Sequence, residues 1–324
     1  PPDNPDDFLK IASELSVISD YDFVALLNKD SSNIIPADWT TMANAVYSRL
    51  DQGYTGFVIA HGTDTLHYSS SALAFALGNQ LNVPVVFTGS QTIPDVIHGD
   101  ARTNLLRAAL VAQSQLAEVV ISFNHSVYRG CRVIKTGERS FDAFSSPGLG
   151  AIGDIAEHVK LSPIAKLRSL NTQNEIDFRP LFSEGILQIS AIPGFHPQLL
   201  MPVLDSAQCK GIIVQSFGAG NLPDTDLYSW SEVIRYATQQ LIPVVISSPF
   251  AANSTLDSAY NPGISAIESG AIAVGNMTQA AMMVKFSWVL AQAEQAIANG
   301  ALMQADTLKR VAKLLQSNYV DEMD

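Results

Sequence analysis

The sequence predicts an α/β protein of two doubly wound domains, a larger N-terminal one with a flavodoxin- or Rossmann-like parallel sheet and a smaller C-terminal α/β domain. Three observations carry this. Short β-rich runs alternate with longer segments of helical periodicity along the chain. Most of the short runs are continuously apolar, as a parallel strand covered on both faces must be. The 324 residues exceed what one core usually serves, and a polar, aperiodic stretch near residue 170 separates two parts.

In chain order, strands are expected at Phe23–Leu27, Gly56–Ala60, Pro84–Thr88 and Glu118–Phe123, then at Ile186–Ile192, Gly211–Phe217, Pro243–Ser247 and Ala271–Val274. A helix is expected after Asp38, read as its N-cap, with Trp39, Met42, Val46 and Leu50 on one face and Gly53 as its stop. A second opens near Leu66. A third runs from about Thr278 to Ala298 and ends at Gly300. Residues 169–185, including Asn171-Thr-Gln-Asn-Glu175, read as a linker between an N-terminal domain at 1–168 and a C-terminal domain at 186–324.

Composition narrows the function. Hydrophobic residues make up 47% and charged residues 15%, a globular balance and not a disordered one. A formal net charge of −12 repels phosphate backbones, so no nucleic acid is expected as partner. No apolar run reaches the ~18 residues of a bilayer span, so no membrane is expected. Cys131 and Cys209 stand far apart, with no CxxC; they form neither a zinc site nor a disulfide framework, which fits a reducing compartment. The six histidines show no ligand spacing, and no metal is expected. There is no P-loop, GxSxG or HExxH. Gly148-Leu-Gly-Ala-Ile-Gly153 spells GxGxxG, but a loop precedes it where a strand is required. Gly218-Ala-Gly-Asn221 lacks the third glycine. No nucleotide or other cofactor is expected.

Three segments carry chemistry. His61-Gly-Thr-Asp-Thr65 lies between a strand end and a helix start, where open α/β sheets bind ligands and unpaired N–H groups are offered. A hydroxyl and a carboxylate side by side there could serve as nucleophile and ammonium binder; ordinary helix capping by Thr63, Asp64 or Thr65 is the alternative. Asp30-Ser-Ser-Asn33 presents small hydroxyls that could hold a carboxylate, or simply form a turn. Lys135 is a surface charge, unless burial or neighbours depress its pKa and make it a base.

Longer motifs embed these segments. Gly56-Phe-Val-Ile-Ala-His-Gly-Thr-Asp-Thr-Leu-His-Tyr68 is followed by Pro84-Val-Val-Phe-Thr-Gly-Ser-Gln91 and Gly99-Asp-Ala-Arg-Thr-Asn-Leu105. Tyr128-Arg-Gly130 then leads to Lys135-Thr136 and Phe141-Asp-Ala-Phe144. Gly218-Ala-Gly-Asn221 and Ala271-Ile-Ala-Val-Gly-Asn-Met277 lie in the second part. Over about residues 22–292 this series resembles the bacterial-type asparaginase family, closest to its cytoplasmic type. The amidase subunit of a tRNA-dependent amidotransferase shares many of the motifs.

The resemblance implies hydrolysis of L-asparagine to L-aspartate and ammonia through a threonine ester. Thr63, Asp64 and Lys135 match the catalytic group. Thr63 would attack, Lys135 would deprotonate it as a buried neutral amine, and Asp64 would orient the network and bind the substrate ammonium. Ser31 matches the residue that binds the α-carboxylate, and Ser32 stands where Gln is frequent. Asn221 matches a small-domain residue that often reaches a neighbouring subunit's pocket. No cofactor, a homodimer or homotetramer, and a cytoplasmic location are implied. Two other readings remain open, the amidotransferase subunit and an inactive amino-acid-binding scaffold. The family's Gly-Gly-Thr-Ile turn, with its other threonine, and the mobile loop after it have no counterpart here, so a preceding segment that supplies a central strand is expected. Ile134 and Gln215 replace the Thr and Arg of allosteric members, so activation by asparagine is not expected.

Overall fold

Alternation of strand and helix produces two compact units, Pro1–Leu181 and Phe182–Asp324, in the computed structural model, which describes residues 14–93, 96–169, 175–250 and 261–324. The division falls inside the stretch expected to be a linker; its Asn171–Asn174 portion and the N-terminal Pro1–Pro5 lie outside the described residues.

In the first unit β1 (Phe57–Ala60), β2 (Val85–Thr88) and β3 (Val119–Phe123) run parallel, with Phe57 opposite Val85 and Val85 opposite Val119. Every residue of β2 and β3 is buried, as their apolar runs require. The sheet then turns antiparallel through β4 (Ser126–Arg129), β7 (Gly153–Ile155) and β8 (Val159–Leu161). Asn124 makes this possible: its left-handed φ of 51° lets two residues close the β3–β4 hairpin between Phe123 and Ser126. A separate ladder pairs β5 (Ile134–Lys135) with β6 (Phe144–Ser145).

The expected strand at Phe23–Leu27 does not form. The segment joins no ladder, and Phe23, Val24, Leu26 and Leu27 are all exposed. Its composition suits a strand, but pairing needs a neighbour, and among the described residues the sheet ends at β1. Alternate residues of β1 are exposed accordingly.

Helix α1 (Pro36–Tyr47) begins earlier than Asp38. Pro36 takes the first position, where a missing N–H costs nothing. Asp38 is the third helical residue, not the cap; its carboxylate reaches back to the Ile35 N–H at 2.9 Å and to Lys29 Nζ at 2.7 Å. Trp39, Met42 and Val46 face the core. Leu50 falls in a separate 3-10 turn that Gly53 ends at φ +84°. Helices α2 (Leu66–Leu77) and α3 (Ala101–Ala112) complete this layer, and α2 is buried almost throughout.

The second unit is a parallel four-stranded sheet in the order β12-β11-β10-β9, built from β9 (Ile186–Ser190), β10 (Gly211–Gln215), β11 (Val244–Ser247) and β12 (Ile272–Ala273). Its longer helices are α4 (Ser231–Gln239), α5 (Asn261–Glu268), α6 (Gln279–Ala298) and α7 (Thr307–Gln316). Thr278 caps α6 by accepting the Ala281 N–H at 3.2 Å. Lys285, within α6, is fully buried; its ammonium donates to Leu315 O at 2.9 Å, Ser317 O at 2.6 Å and Glu322 Oε1 at 2.5 Å. Glu322 accepts further bonds from the N–H groups of Tyr319 and Val320, which fixes the C-terminal turn. Among the described residues no helix is long and apolar enough to cross a membrane.

Candidate active site

The chain leaves β1 at His61, whose N–H still continues the ladder to Thr88 O at 2.9 Å. Two close approaches then fix the loop. A Cβ on Gly62 would lie 2.6 Å from Ser31 Oγ, and one on Gly89 would lie 2.3 Å from His61 O, so only glycine fits at either place. Thr65 occupies the N-cap position of α2, but its side chain caps nothing; its hydroxyl donates to Ser31 O at 2.7 Å. Asp64 turns to Lys135. Neither of these two residues caps α2, so their side chains serve contacts across the loop cluster.

Lys135 reaches the same place from β5. Its Nζ lies 2.6 Å from Asp64 Oδ1 and 2.9 Å from Glu138 Oε1. The lysine side chain is 9% exposed, whereas those of Asp64 and Glu138 are 56% and 75% exposed. Burial acts to lower the lysine pKa, but hydrogen bonds and charge from Asp64 and Glu138 outweigh it and hold the amine above its ordinary value. The expectation of a neutral Lys135 is therefore corrected: the resting side chain is a charged ammonium across the neutral range.

An open pocket is lined here by Asp64, His67, Tyr68, Lys135 and residues 136–138. Burial first, and the Lys135 charge second, push His67 down to about 4, so it is neutral at physiological pH. Its Nδ1 is buried without a hydrogen-bond partner.

The expected residues are brought together in part. Asp64 and Lys135 are in contact, and Ser31 packs against Gly62. The Thr63 hydroxyl donates to Gln91 Oε1 at 3.3 Å and makes no hydrogen bond with Lys135. Ser31 is buried, whereas the Ser32 hydroxyl is turned onto Asp30 Oδ1 at 2.6 Å. Asn221 belongs to the second unit, where it closes a turn onto Phe217 through Gly218 and Gly220, both at positive φ. The GxGxxG letters at 148–153 lead into β7 rather than a helix.

Two contact residues are not legible as such in the sequence. Gln91 ends one of the longer motifs, yet its part appears only in space: its Nε2 donates to Gly137 O at 3.0 Å while its Oε1 takes the Thr63 hydroxyl. Asp100 in turn accepts the Gln91 N–H at 3.0 Å. Glu138 leaves one trace, its spacing three residues beyond Lys135.

Two family models match most of the chain. Residues 2–165 match the sequence model of the asparaginase N-terminal domain, and residues 186–303 match that of the glutaminase/asparaginase C-terminal domain. A glutamyl-tRNA(Gln) amidotransferase subunit of Methanobrevibacter smithii is 30% identical, over 98% of this chain and 70% of that protein. L-asparaginase 1 of Escherichia coli is 32% identical, over 81% of this chain and 76% of its own. Among solved structures, the thermostable L-asparaginase from Thermococcus kodakarensis is similar with a TM-score of 0.83 at 29% identity, over 99% of this chain and 92% of the other.

Proposed function

Since the chain belongs to the asparaginase family and is an amidohydrolase, we propose that it hydrolyses the side-chain amide of free L-asparagine, with Thr63 as nucleophile. The observation that carries this reading is the Lys135–Asp64 contact of 2.6 Å beside Thr63 at the C-terminal end of β1. Asp64 takes the substrate ammonium and Ser31 the α-carboxylate; Ser32 is spent on Asp30. Thr63 turns its hydroxyl from Gln91 to the amide carbon. Lys135 gives up a proton to solvent once the substrate ammonium shares Asp64. It then accepts the Thr63 proton and passes it to the leaving ammonia. Water cleaves the resulting ester and releases aspartate. No cofactor enters these steps. Asn221 serves the site of a second copy in a homodimer or homotetramer. Gln215 donates no charge to an effector carboxylate, so the rate curve is hyperbolic. Both cysteines are free, in keeping with a cytoplasmic location.

A second reading, the amidase component of a glutamyl-tRNA(Gln) amidotransferase, is favoured by one observation: relatives of that name match at 30% identity, close to the 32% of the asparaginase. Ammonia release by the purified protein from free asparagine, with glutamine as comparator, separates the two. The asparaginase reading expects turnover without any other protein and a loss of about 10³-fold or more in Thr63→Ala. Near-wild-type turnover in that variant overturns the assignment, and no release from free asparagine favours the amidotransferase.

A further inference from the structure

We propose that His61 is a positioning residue that fixes the direction of the Thr63 backbone N–H through a single, locked ring tautomer. The inference rests on the acyl-transfer reading above, because that N–H matters as a donor to the oxygen that gains charge when the amide carbon is attacked.

Three contacts form a chain, and each permits one polarity. His61 Nδ1 lies 2.7 Å from Gly62 O. A carbonyl only accepts, so Nδ1 carries the proton. His61 Nε2 lies 2.9 Å from Ser69 Oγ, and Ser69 Oγ receives the Trp39 Nε1–H at 3.1 Å. Indole nitrogen only donates, so the Ser69 oxygen accepts there; with the proton of a neutral ring on Nδ1, Nε2 is the bare nitrogen and takes the Ser69 proton. For a neutral ring the two ends of the chain, one pure donor and one pure acceptor, leave one arrangement in between. Trp39 on α1 and Ser69 on α2 are both buried, so the ring is anchored on two helices. Burial also pushes the His61 pKa down, against the Gly62 contact, which favours the neutral ring.

The consequence passes through one peptide plane. With the Gly62 carbonyl held by the ring, the Thr63 N–H points the opposite way, because the trans peptide sets C=O and N–H antiparallel. The plane cannot drift, since Gly62 is pressed against Ser31 and the preceding carbonyl against Gly89. Among the described residues the Thr63 N–H has no hydrogen-bond acceptor. It is a held donor, beside the proposed nucleophile, with its acceptor left to the substrate.

The test pairs nitrogen NMR with two substitutions. In the wild-type protein the His61 ring nitrogens are expected to show the neutral Nδ1–H tautomer at pH 7. His61→Leu is expected to lower kcat about 100-fold, the size of a lost oxyanion donor, with KM changed by less than about three-fold. His61→Asn, whose amide can still donate from the δ position, is expected to recover about ten-fold of that loss. Should His61→Leu fail to fold, Ser69→Ala replaces it; Gly62 O still holds the Nδ1–H tautomer, the ring loses its second anchor, and a smaller fall in kcat is expected. An Nε2–H tautomer in the wild type, equal losses in the Asn and Leu variants, or a change confined to KM would each overturn the proposal. The nitrogen shifts are read without turnover, so a failure here is distinguishable from a failure of the asparaginase reading.

Discussion

Of the lysines that hold a carboxylate, Lys285 and Lys135 sit in opposite settings. Lys285 and Glu322 are both fully buried, and the ammonium spends its three protons on two carbonyls and one carboxylate. Lys135 is buried along its stem, but Asp64 and Glu138 open to solvent. A sealed pair is costly to break and has no means of exchanging a proton. An open pair is worth little to stability, yet its partners can be shared with an incoming charge. The difference marks Lys285 as a brace of the C-terminal turn and leaves Lys135 able to share its partners, as the proposed chemistry requires.

Substitution should separate the two roles. Lys135→Met is expected to cut asparagine turnover by about 10³-fold or more while unfolding free energy moves by less than about 1 kcal/mol. Lys285→Met should do the reverse, costing about 3–5 kcal/mol in denaturant unfolding because Glu322 is left charged and dry. If Lys285→Met unfolds like the wild type, the C-terminal turn does not depend on the sealed pair and the comparison fails.

Two smaller effects sharpen it. Glu138→Gln removes one of the two carboxylates that raise the Lys135 pKa, so the amine loses its proton more readily. The ascending limb of kcat against pH should move to lower pH, and kcat at pH 7 should rise a few-fold, the scale of an exposed ion pair. An unmoved limb would show that Asp64 alone holds the ammonium. His67, neighbour to Lys135, is pushed down to about 4 by burial, so between about 4 and about 6.5 the unfolded chain binds the extra proton. Stability therefore rises with pH across that window. The melting temperature should fall by a few degrees from pH 6.5 to pH 4, and His67→Phe should flatten that slope.

Much of the fold was legible because a buried parallel strand leaves a local signature. Val85–Thr88, Val119–Phe123 and Val244–Ser247 are apolar runs buried throughout. Phe23–Leu27 carries a similar composition and forms no strand, since a ladder is a property of pairs and the sequence shows one member at a time. The antiparallel extension leaves no such signature for a related reason: it turns on the left-handed backbone of Asn124, with no glycine to announce it. At the site, the family resemblance singled out Thr63, Asp64 and Lys135, but it did not give the charge state of Lys135. That depends on Glu138 folding back onto the amine, and on distances no motif encodes.

The unpaired margin of the sheet at β1 also bears on how the protein behaves at high concentration. Phe57–Ala60 offers free backbone donors and acceptors along one side among the described residues, and Phe23, Val24, Leu26 and Leu27 add exposed apolar surface in the same unit. Such a margin invites edge-to-edge stacking of molecules. What opposes it is the net charge of −12, whose repulsion reaches about 10 Å in 0.1 M salt and about 3 Å in 1 M. Only where no further strand covers that margin is colloidal stability tied to ionic strength: added salt then shortens the reach of the repulsion that keeps such edges apart.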